Sequence, residues 1–336
     1  MVILSDSQLA PVTEAQRARI MSAPKTAEAH RELLAALPAM NAVQTGGTAS
    51  AASLPAQIRA VAWNAERCLF PEASAALLAD YRPDVVLLSE VDHGMARTAQ
   101  RHPTEVMGAE LGMTYAFGVE FHELGLGGPT ERGFCTDEFN ELGWHGNAIL
   151  SKVPFEKVTM VRLDDHGHWF TPESGAADPE QPRVGGRMAL LAIIPTETGR
   201  MCVVSTHLES NAGSAHRAEQ FKRLLDAIDV FAPDMPVLIG GDLNTGNRRP
   251  PDFDWQSEEL FENAKARGYD WSSTPDGFTT RPSLITPHPT RKMKLDWFAT
   301  RDLSPVTSEL VSALDPDGKP LSDHDAVSCE VTVPSA

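Results

Sequence analysis

Four short apolar runs in this sequence finish in a side chain that can hold a metal ion, a phosphate oxygen or a proton. VAWN ends at Asn64, VVLLSE at Glu90, CVVSTH at His207, and VLIGGDLN at Asp242 and Asn244. Asp296 opens a further run, LDWFAT, and Ser322-Asp323-His324 precedes the last one. Carboxylates, amides and imidazoles at the ends of buried strands imply one convergent polar site on a rigid sheet core. Each type has work to do in phosphoester hydrolysis. A hard cation such as Mg²⁺, with Mn²⁺ as a substitute, takes oxygen ligands and keeps several waters, so one or two carboxylates suffice. The ion polarises the phosphoryl oxygen and stabilises charge in the transition state. An imidazole oriented by a carboxylate can exchange a proton with the reacting group. Amides donate to phosphate oxygens without adding charge. Read alone, an Asn or Asp at a strand end is more often a turn or cap residue. Ser322 is read that way.

The ordered set resembles the endonuclease/exonuclease/phosphatase superfamily, which includes pancreatic deoxyribonuclease, neutral sphingomyelinases, inositol polyphosphate 5-phosphatases and apurinic/apyrimidinic endonucleases. GGDLNT (240–245) and LSDHDAV (321–327) carry most of the resemblance, with WN, SE, STHL and LDW supporting it in the expected order from about Ile58 to Val333. The resemblance implies that Glu90 is the main metal ligand, with Asn64 beside it, and that Asp323 binds or orients a metal. It implies that Asp242 activates or orients the attacking water or the leaving group, and that Asn244 holds a phosphate oxygen. It also implies that His207 donates to a phosphoryl oxygen, and that His324 contacts the scissile phosphate and is oriented by Asp296. Members differ over which group is the base and whether one or two metals act, so both points stay open.

A second tier is less distinctive. His145 and Asn147, in HGNAILSK, stand at the mouth of a strand, and Arg187 precedes another in RVGGRMALL; all three are candidate substrate contacts. Arg187 equally suits a structural carboxylate. Asp164, Asp165, His166 and His168 have the residue types of a second metal site. HGH in a polar loop is more often solvated surface.

These residues need strands to hold them. IRAVAWN, DVVLLSE, NAILSK, MALLAII, MCVVSTH, PVLIGGD, LDWFAT and DAVSCEVTV all read as strands, several of them apolar throughout as if covered on both faces. Phe221, Leu224, Leu225 and Ile228 fall at helical spacing over 214–231. This alternation allows, and the resemblance selects, an α/β fold: a four-layer sandwich of two facing, mainly antiparallel sheets flanked by helices, over residues 57–336. Residues 1–56 read as an N-terminal arm. Thr13-Glu14-Ala15-Gln16 resembles a capping box, Leu33, Leu34 and Leu37 mark a second helix, and TGGTASAAS (45–53) reads as a flexible linker. Residues 120–145 and 163–186 read as long polar loops, the natural substrate-selecting elements.

Composition bounds the substrate. The 336 residues carry a formal net charge of -17, with 42% hydrophobic and 22% charged residues. Such a surface opposes a long polyanion. The THL context of His207 also differs from that of abasic-site endonucleases. A small-molecule or lipid-derived phosphodiester or phosphomonoester is therefore the expected substrate. A nuclease with a local basic groove is the alternative, served by Arg248 and Arg249 after GGDLNTGN and by Arg291, Lys292 and Lys294 before LDW. A non-catalytic scaffold on the same fold is a third reading, opposed by the complete polar set. The N-terminal MVILSDSQLAPVTE lacks a basic segment followed by a long apolar stretch, and no apolar run approaches the ~20 residues of a membrane span, so a cytoplasmic location is expected. The cysteines, Cys68, Cys135, Cys202 and Cys329, form no closely spaced pair, which fits that expectation. Nothing in the sequence specifies an oligomeric state.

Overall fold

The computed structural model describes residues 5–247, 254–288 and 292–334. The chain opens with β1 (Ser5–Asp6), α1 (Glu14–Ser22), α2 (Ala27–Ala36) and β2 (Val43–Gly47). The capping box forms: the Thr13 hydroxyl accepts from Gln16 N, and Gln16 Oε1 accepts from Thr13 N at 2.9 Å. Next come β3 (Gln57–Arg67), α3 (Pro71–Tyr81) and β4 (Val85–His93). β3 and β4 are parallel, which requires a crossover, and α3 supplies it. α4 (Pro103–Leu111) precedes β5 (Thr114–Glu123), and α5 (Pro129–Arg132) precedes β6 (Trp144–Ser151). β7 (Lys157–Arg162), β8 (Arg183–Gly185), β9 (Met188–Thr196) and β10 (Gly199–His207) follow. A second parallel crossover then runs from β10 through α6 (Ser214–Phe231) to β11 (Val237–Asp242). α7 (Glu259–Lys265), β12 (Asp296–Arg301), β13 (Ser304–Val311) and β14 (Ala326–Thr332) complete the described chain.

The strands form two sheets. One runs β1-β2-β5-β6-β4-β3-β14-β13, with β8 also on β5; the other runs β12-β11-β10-β9-β7. Ile58, Ala60, Ala62, Leu87 and Ile149 of the first meet Leu190, Val203, Leu238 and Phe298 of the second in an apolar layer between them. Ile20, Leu33, Leu78 and Met107 from α1–α4 cover the outer face of the larger sheet. Phe221, Leu224, Leu225, Leu260 and Phe261 from α6 and α7 cover the smaller one. This is the expected four-layer sandwich. No described helix is long and apolar enough to cross a membrane.

The expected linker is different. Thr45, Gly46 and Gly47 belong to β2, paired antiparallel with Ala116, Tyr115 and Thr114. Ser50 N and Ala51 N both donate to Lys152 O at 2.9 Å. Small residues here answer to packing rather than mobility: a Cβ on Gly46 would lie 2.6 Å from the Tyr115 hydroxyl. The sheet thus continues into the N-terminal region without a break. The ends of the expected 120–145 loop are also strand. Glu120, His122 and Glu123 are buried members of β5 whose polarity hid them from an apolar-run reading.

The second glycine of GGDLNT has a backbone reason. Gly241 sits at φ +152°, and a Cβ there would lie 1.9 Å from Thr206 O on the neighbouring strand. Gly241→Ala is expected to cost about 2–4 kcal/mol from strain plus the clash. Urea denaturation should show a lower midpoint at constant m; an unchanged midpoint would refute this account.

Candidate active site

Strand alternation delivers the polar residues to the gap between the sheets. On β3, Ile58, Ala60 and Ala62 face the inner layer while Val61 and Trp63 face out, so Asn64 continues the inner row. The same parity carries Met201 and Val203 to His207, Leu238 to Asp242, and Phe298 back to Asp296. Glu90 is the exception: following Val86 and Leu88, both outward, it would point away. A bulge between Leu88 and Val91 disturbs the pairing with β6, and Glu90 takes φ +55°. Bulges of this kind re-aim side chains beside functional sites.

Sheet register sets the spacing. His207 is the ladder partner of Asp242, and Asp242 that of Asp296, so three polar residues form one row across β10, β11 and β12. Two carboxylates directly opposed repel each other. Neighbours offset this. Asn64 Nδ2 donates to Asp242 Oδ2 at 3.0 Å and to Glu90 Oε1 at 3.2 Å. His324 Nδ1 lies 2.7 Å from Asp296 Oδ2, and its Nε2 is 3.8 Å from Asp242 Oδ2. His207 Nε2 is 3.6 Å from the same Asp242 oxygen. His324 is positioned through Ser322, whose hydroxyl donates to Asn64 O at 2.6 Å and accepts from His324 N at 3.0 Å, as a turn residue would. Trp63 Nε1 holds His324 O at 2.8 Å.

The charges follow from these contacts. Burial opposes a charged His324, but Asp296, Asp323 and Asp242 hold its pKa well above the usual imidazole value. Burial, helped by Asp296, raises Asp242 despite His324, His207 and Asn64. Burial likewise opposes charge on Glu90, and Arg67 with His207 and His145 overrides it, keeping this carboxyl well below its usual range. Burial, with Glu90 and Asp242, pushes Asp323 up to about 6. Asn244, at φ +49°, places its amide against Leu208 O at 3.0 Å, and its N–H donates to Asp242 Oδ1.

The candidate substrate contacts land elsewhere than at an open cleft. Arg187 is buried and binds Glu120 Oε1 at 2.9 Å and Glu209 Oε2 at 3.2 Å, with Nη1 2.8 Å from His207 Nδ1. That is the structural-carboxylate alternative. Asn147 donates across the inner layer to Met188 O at 3.1 Å, tying the sheets together. His145 Nδ1 meets Asp92 Oδ1 at 2.9 Å, and Asp92 forms a two-pronged pair with Arg97. Arg97 reaches Glu123 and Glu131, and Glu131 shares Arg67 with Glu90. Sequence reasoning missed Arg67, Glu120 and Glu66. Arg67 stood in view, three residues after Asn64. Glu120 pairs with His207 Nδ1 at 3.4 Å, much as Asp296 does with His324; the alternation of Tyr115, Phe117, Val119 and Phe121 around it is the signal that could have placed it on a strand. Glu66 accepts from the Ser283 and Thr286 hydroxyls, and burial with Asp323 pushes it up to about 7.

A divalent ion suits this set. Among the described residues, Asp242, Asp296 and His324 are the one group of three such side chains whose donor atoms all lie within 4.8 Å of one another. Asp296 Oδ1 is buried without a hydrogen-bond donor, a costly state that a hard cation relieves. Glu90 adds a carboxylate beside them, though both its oxygens are engaged, by Asn64 and by Arg67, so binding metal there entails an exchange of partners. Asp323 Oδ1 lies 3.9 Å from His324 Nε2.

Comparison with known proteins agrees with the fold. The Endonuclease/Exonuclease/phosphatase family matches residues 61–324, and the chain belongs to that family. Its members are typically phosphoester hydrolases that depend on divalent metal. An endonuclease/exonuclease/phosphatase from Beutenbergia cavernae is similar at 19% identity and TM-score 0.58, over 82% of this chain and 72% of that one. The human Nocturnin catalytic domain, solved with a sulfate anion, is similar at 16% identity and TM-score 0.56, over 84% and 96%. A protein of the same family description from Bacteroides vulgatus gives 16% and 0.54, over 83% and 99%. At such identities the likeness concerns the fold. No curated protein matches the chain.

Asp296→Asn removes the charge that sustains protonated His324. A raised folded pKa stabilises fully below the unfolded value of about 6.5 and is lost as pH rises through the folded value. The variant should therefore lower the His324 pKa and lose that low-pH stabilisation. Imidazole NMR titration of metal-free protein reads the shift; identical curves would dissolve the pairing.

Proposed function

We propose that the chain is a divalent-metal-dependent hydrolase of a small or lipid-derived phosphoester. The observation that carries this reading is the setting of Asp242: Asn64 donates to it at 3.0 Å, and His207 and His324 stand 3.6 and 3.8 Å away, each backed by its own carboxylate. In this reading Glu90, Asp242 and Asp296 hold Mg²⁺ or Mn²⁺, with Asn64 and Asp323 beside them. Bound metal supplies polarisation of the phosphoryl oxygen and charge neutralisation. Asp242, set between the two histidines, orients the attacking water or takes its proton. The water oxygen bonds to phosphorus, the ester P–O bond breaks, and the leaving alcohol oxygen takes up a proton. His324, kept cationic by Asp296, and His207 face the phosphoryl oxygens and stabilise their charge. Asn244 orders the Asp242 carboxylate through its backbone N–H, and its amide serves a phosphate oxygen after releasing Leu208 O.

The two long polar segments favour a compact substrate. Glu123, Gly125, Gly127 and Gly128 of the first and Trp169, Asp178, Gln181 and Arg183 of the second line a cavity of about 190 Å³. Hydrogen bonds link its wall to the site: Trp169 Nε1 donates to Glu209 Oε2 at 3.0 Å, that oxygen accepts from Arg187 Nε, and Arg187 contacts His207. The nuclease alternative draws less support. Lys294 is nearly buried, its Nζ 4.4 Å from the Trp297 ring centroid, and Arg187 is committed to buried carboxylates. Lys292 is exposed, while Arg248, Arg249 and Arg291 lie outside the described residues.

Glu90→Gln should slow turnover on the order of 10²-fold, and chelator should abolish it; full activity in chelator would overturn the metal-dependent reading. Comparing kcat/KM for bis-p-nitrophenyl phosphate, a phosphocholine lipid, an inositol phosphate and abasic or intact DNA, at low and moderate salt, tests the substrate class. Efficient, steeply salt-dependent DNA cleavage with little turnover of the rest would make the protein a nuclease.

Trp169→Ala should raise KM about 10-fold for the preferred small ester while sparing kcat, as loss of uniform binding does. An unaltered KM would exclude the cavity from substrate binding.

A further inference from the structure

Lys294 stands just before β12, where several aromatic side chains gather. Alternation along β12 sends Phe298 to the gap between the sheets and Trp297 to the opposite face, against α7. There the Trp297 ring centroid lies 4.7 Å from that of Phe261 in α7. Trp255 and Trp271, before and after α7, flank the pair with centroids 4.7 and 6.0 Å from that of Trp297. Phe261 and Trp297 are buried, as ordinary core residues would be. Trp255 and Trp271 are only half-buried, and together with Lys294 and Asp276 they line a cavity of about 700 Å³. That volume falls within the range of small-molecule sites.

A buried charge points to what the cavity holds. Lys294 is 7% exposed. Its Nζ lies 4.4 Å from the Trp297 ring centroid and 5.4 Å from that of Trp255. Those faces attract a cation but offer no lone pair to its three N–H groups. No hydrogen bond joins Nζ to a described residue. The nearest carboxylate oxygen among them, Asp276 Oδ1, is 3.9 Å away on a fully exposed side chain, too far for a hydrogen bond. Burial accordingly pulls the Lys294 pKa below its usual value, and Asp276 opposes that shift only in part. The other charged groups of the lining, Glu262 and Lys265, pair with each other at 2.7 Å. The cavity thus combines open indole surface with one positive charge that lacks a partner.

We infer that this cavity binds a planar aromatic monoanion, with its ring against Trp255 and Trp271 and its anionic group on Lys294 Nζ. The ring gains aromatic contacts, and a charge-assisted hydrogen bond satisfies the ammonium. A cationic ligand is opposed by Lys294, and a neutral ring leaves the ammonium unsatisfied. The site is separate from the Asp242 row, because Trp297 faces the helices while that row faces the gap between the sheets. This inference stands independently of the proposed hydrolysis.

2-Naphthoate is the probe, with 2-naphthamide as its uncharged counterpart and acetate as an anion without a ring. Three of the six tryptophans line the cavity, so occupancy should quench their emission. Calorimetry and fluorescence on full-length protein in Mg²⁺ should show saturable binding of 2-naphthoate. 2-Naphthamide and acetate should bind at least about 10-fold more weakly, as loss of a charged hydrogen bond or of the ring contacts requires. Lys294→Met keeps an unbranched apolar stem and should reduce 2-naphthoate to the affinity of 2-naphthamide, which itself stays unchanged. Glu90→Gln should leave both affinities as they are. If Lys294→Met fails to fold, the comparison of charged and neutral ligands on the wild type decides alone. No saturable 2-naphthoate binding, or equal affinity for the amide in the wild type, would end the proposal. So would 2-naphthoate binding that survives Lys294→Met or disappears in Glu90→Gln, and an equal loss of both ligands in Lys294→Met would leave Lys294 a packing residue only.

Discussion

An ionised carboxylate cannot be taken out of water alone; it needs a counter-charge, several donors or a proton. At one end of this sandwich Glu90, Asp92, Glu120, Glu123, Glu209, Asp242 and Asp296 are brought close together, nearly all fully buried. Three arginines, Arg67, Arg97 and Arg187, and two histidines, His207 and His324, answer them. Much of the rest of the molecule is arranged around that requirement. β5 extends beyond its apolar stretch to present Glu120 and Glu123, and the bulge in β4 turns Glu90 inward toward Asn64. Buried ion pairs are poor sources of net stability, because desolvation offsets their attraction. Their value here is geometric: each carboxylate near the Asp242 row is held in one orientation by a partner that is itself held.

The repeated use of a parallel strand–helix–strand unit explains why such a set can exist. β3–α3–β4 and β10–α6–β11 each place two parallel strands with their carboxyl ends side by side. Residues after the last apolar position of each strand then share one rim. The two sheets face each other, so the two rims combine, with β12 adding Asp296 from the antiparallel direction. The inner layer is mainly apolar below that level and becomes polar toward the rim, where the alternating inward positions run from Ala62 to Asn64 and from Val203 through Ser205 to His207.

What was legible in the sequence was whatever alternation and punctuation encode. The eight apolar runs are strands, and the helix over 214–231 has those bounds. The inward parity of Asn64, His207, Asp242 and Asp296 follows from counting back along each run. Glu90 breaks that count, and a bulge leaves no mark that a single sequence reveals. Glu120 and Glu123 were hidden because β-strand signals rest on apolar residues, whereas these are buried by pairing with arginines distant in the chain. β13 escaped for the opposite reason: an edge strand with mostly exposed residues carries no apolar alternation. The glycines of 45–47 were misread because composition cannot distinguish a glycine chosen for flexibility from one chosen to let Tyr115 pass.

The N-terminal segment has one more consequence. β2 occupies the flank of β5, satisfying backbone groups that would otherwise face solvent beside Phe117 and Ala116. A sheet flank stripped of its neighbour is a template for pairing with another chain. The opposite flank, β13, is defended by Pro305 and a run of exposed residues, but β5 has no such protection of its own. Residues 5–47 therefore act as a built-in stopper against intermolecular sheet growth. A proteolytic nick that released them would leave that flank of β5 open to another chain, even with every residue of the polar rim still in place.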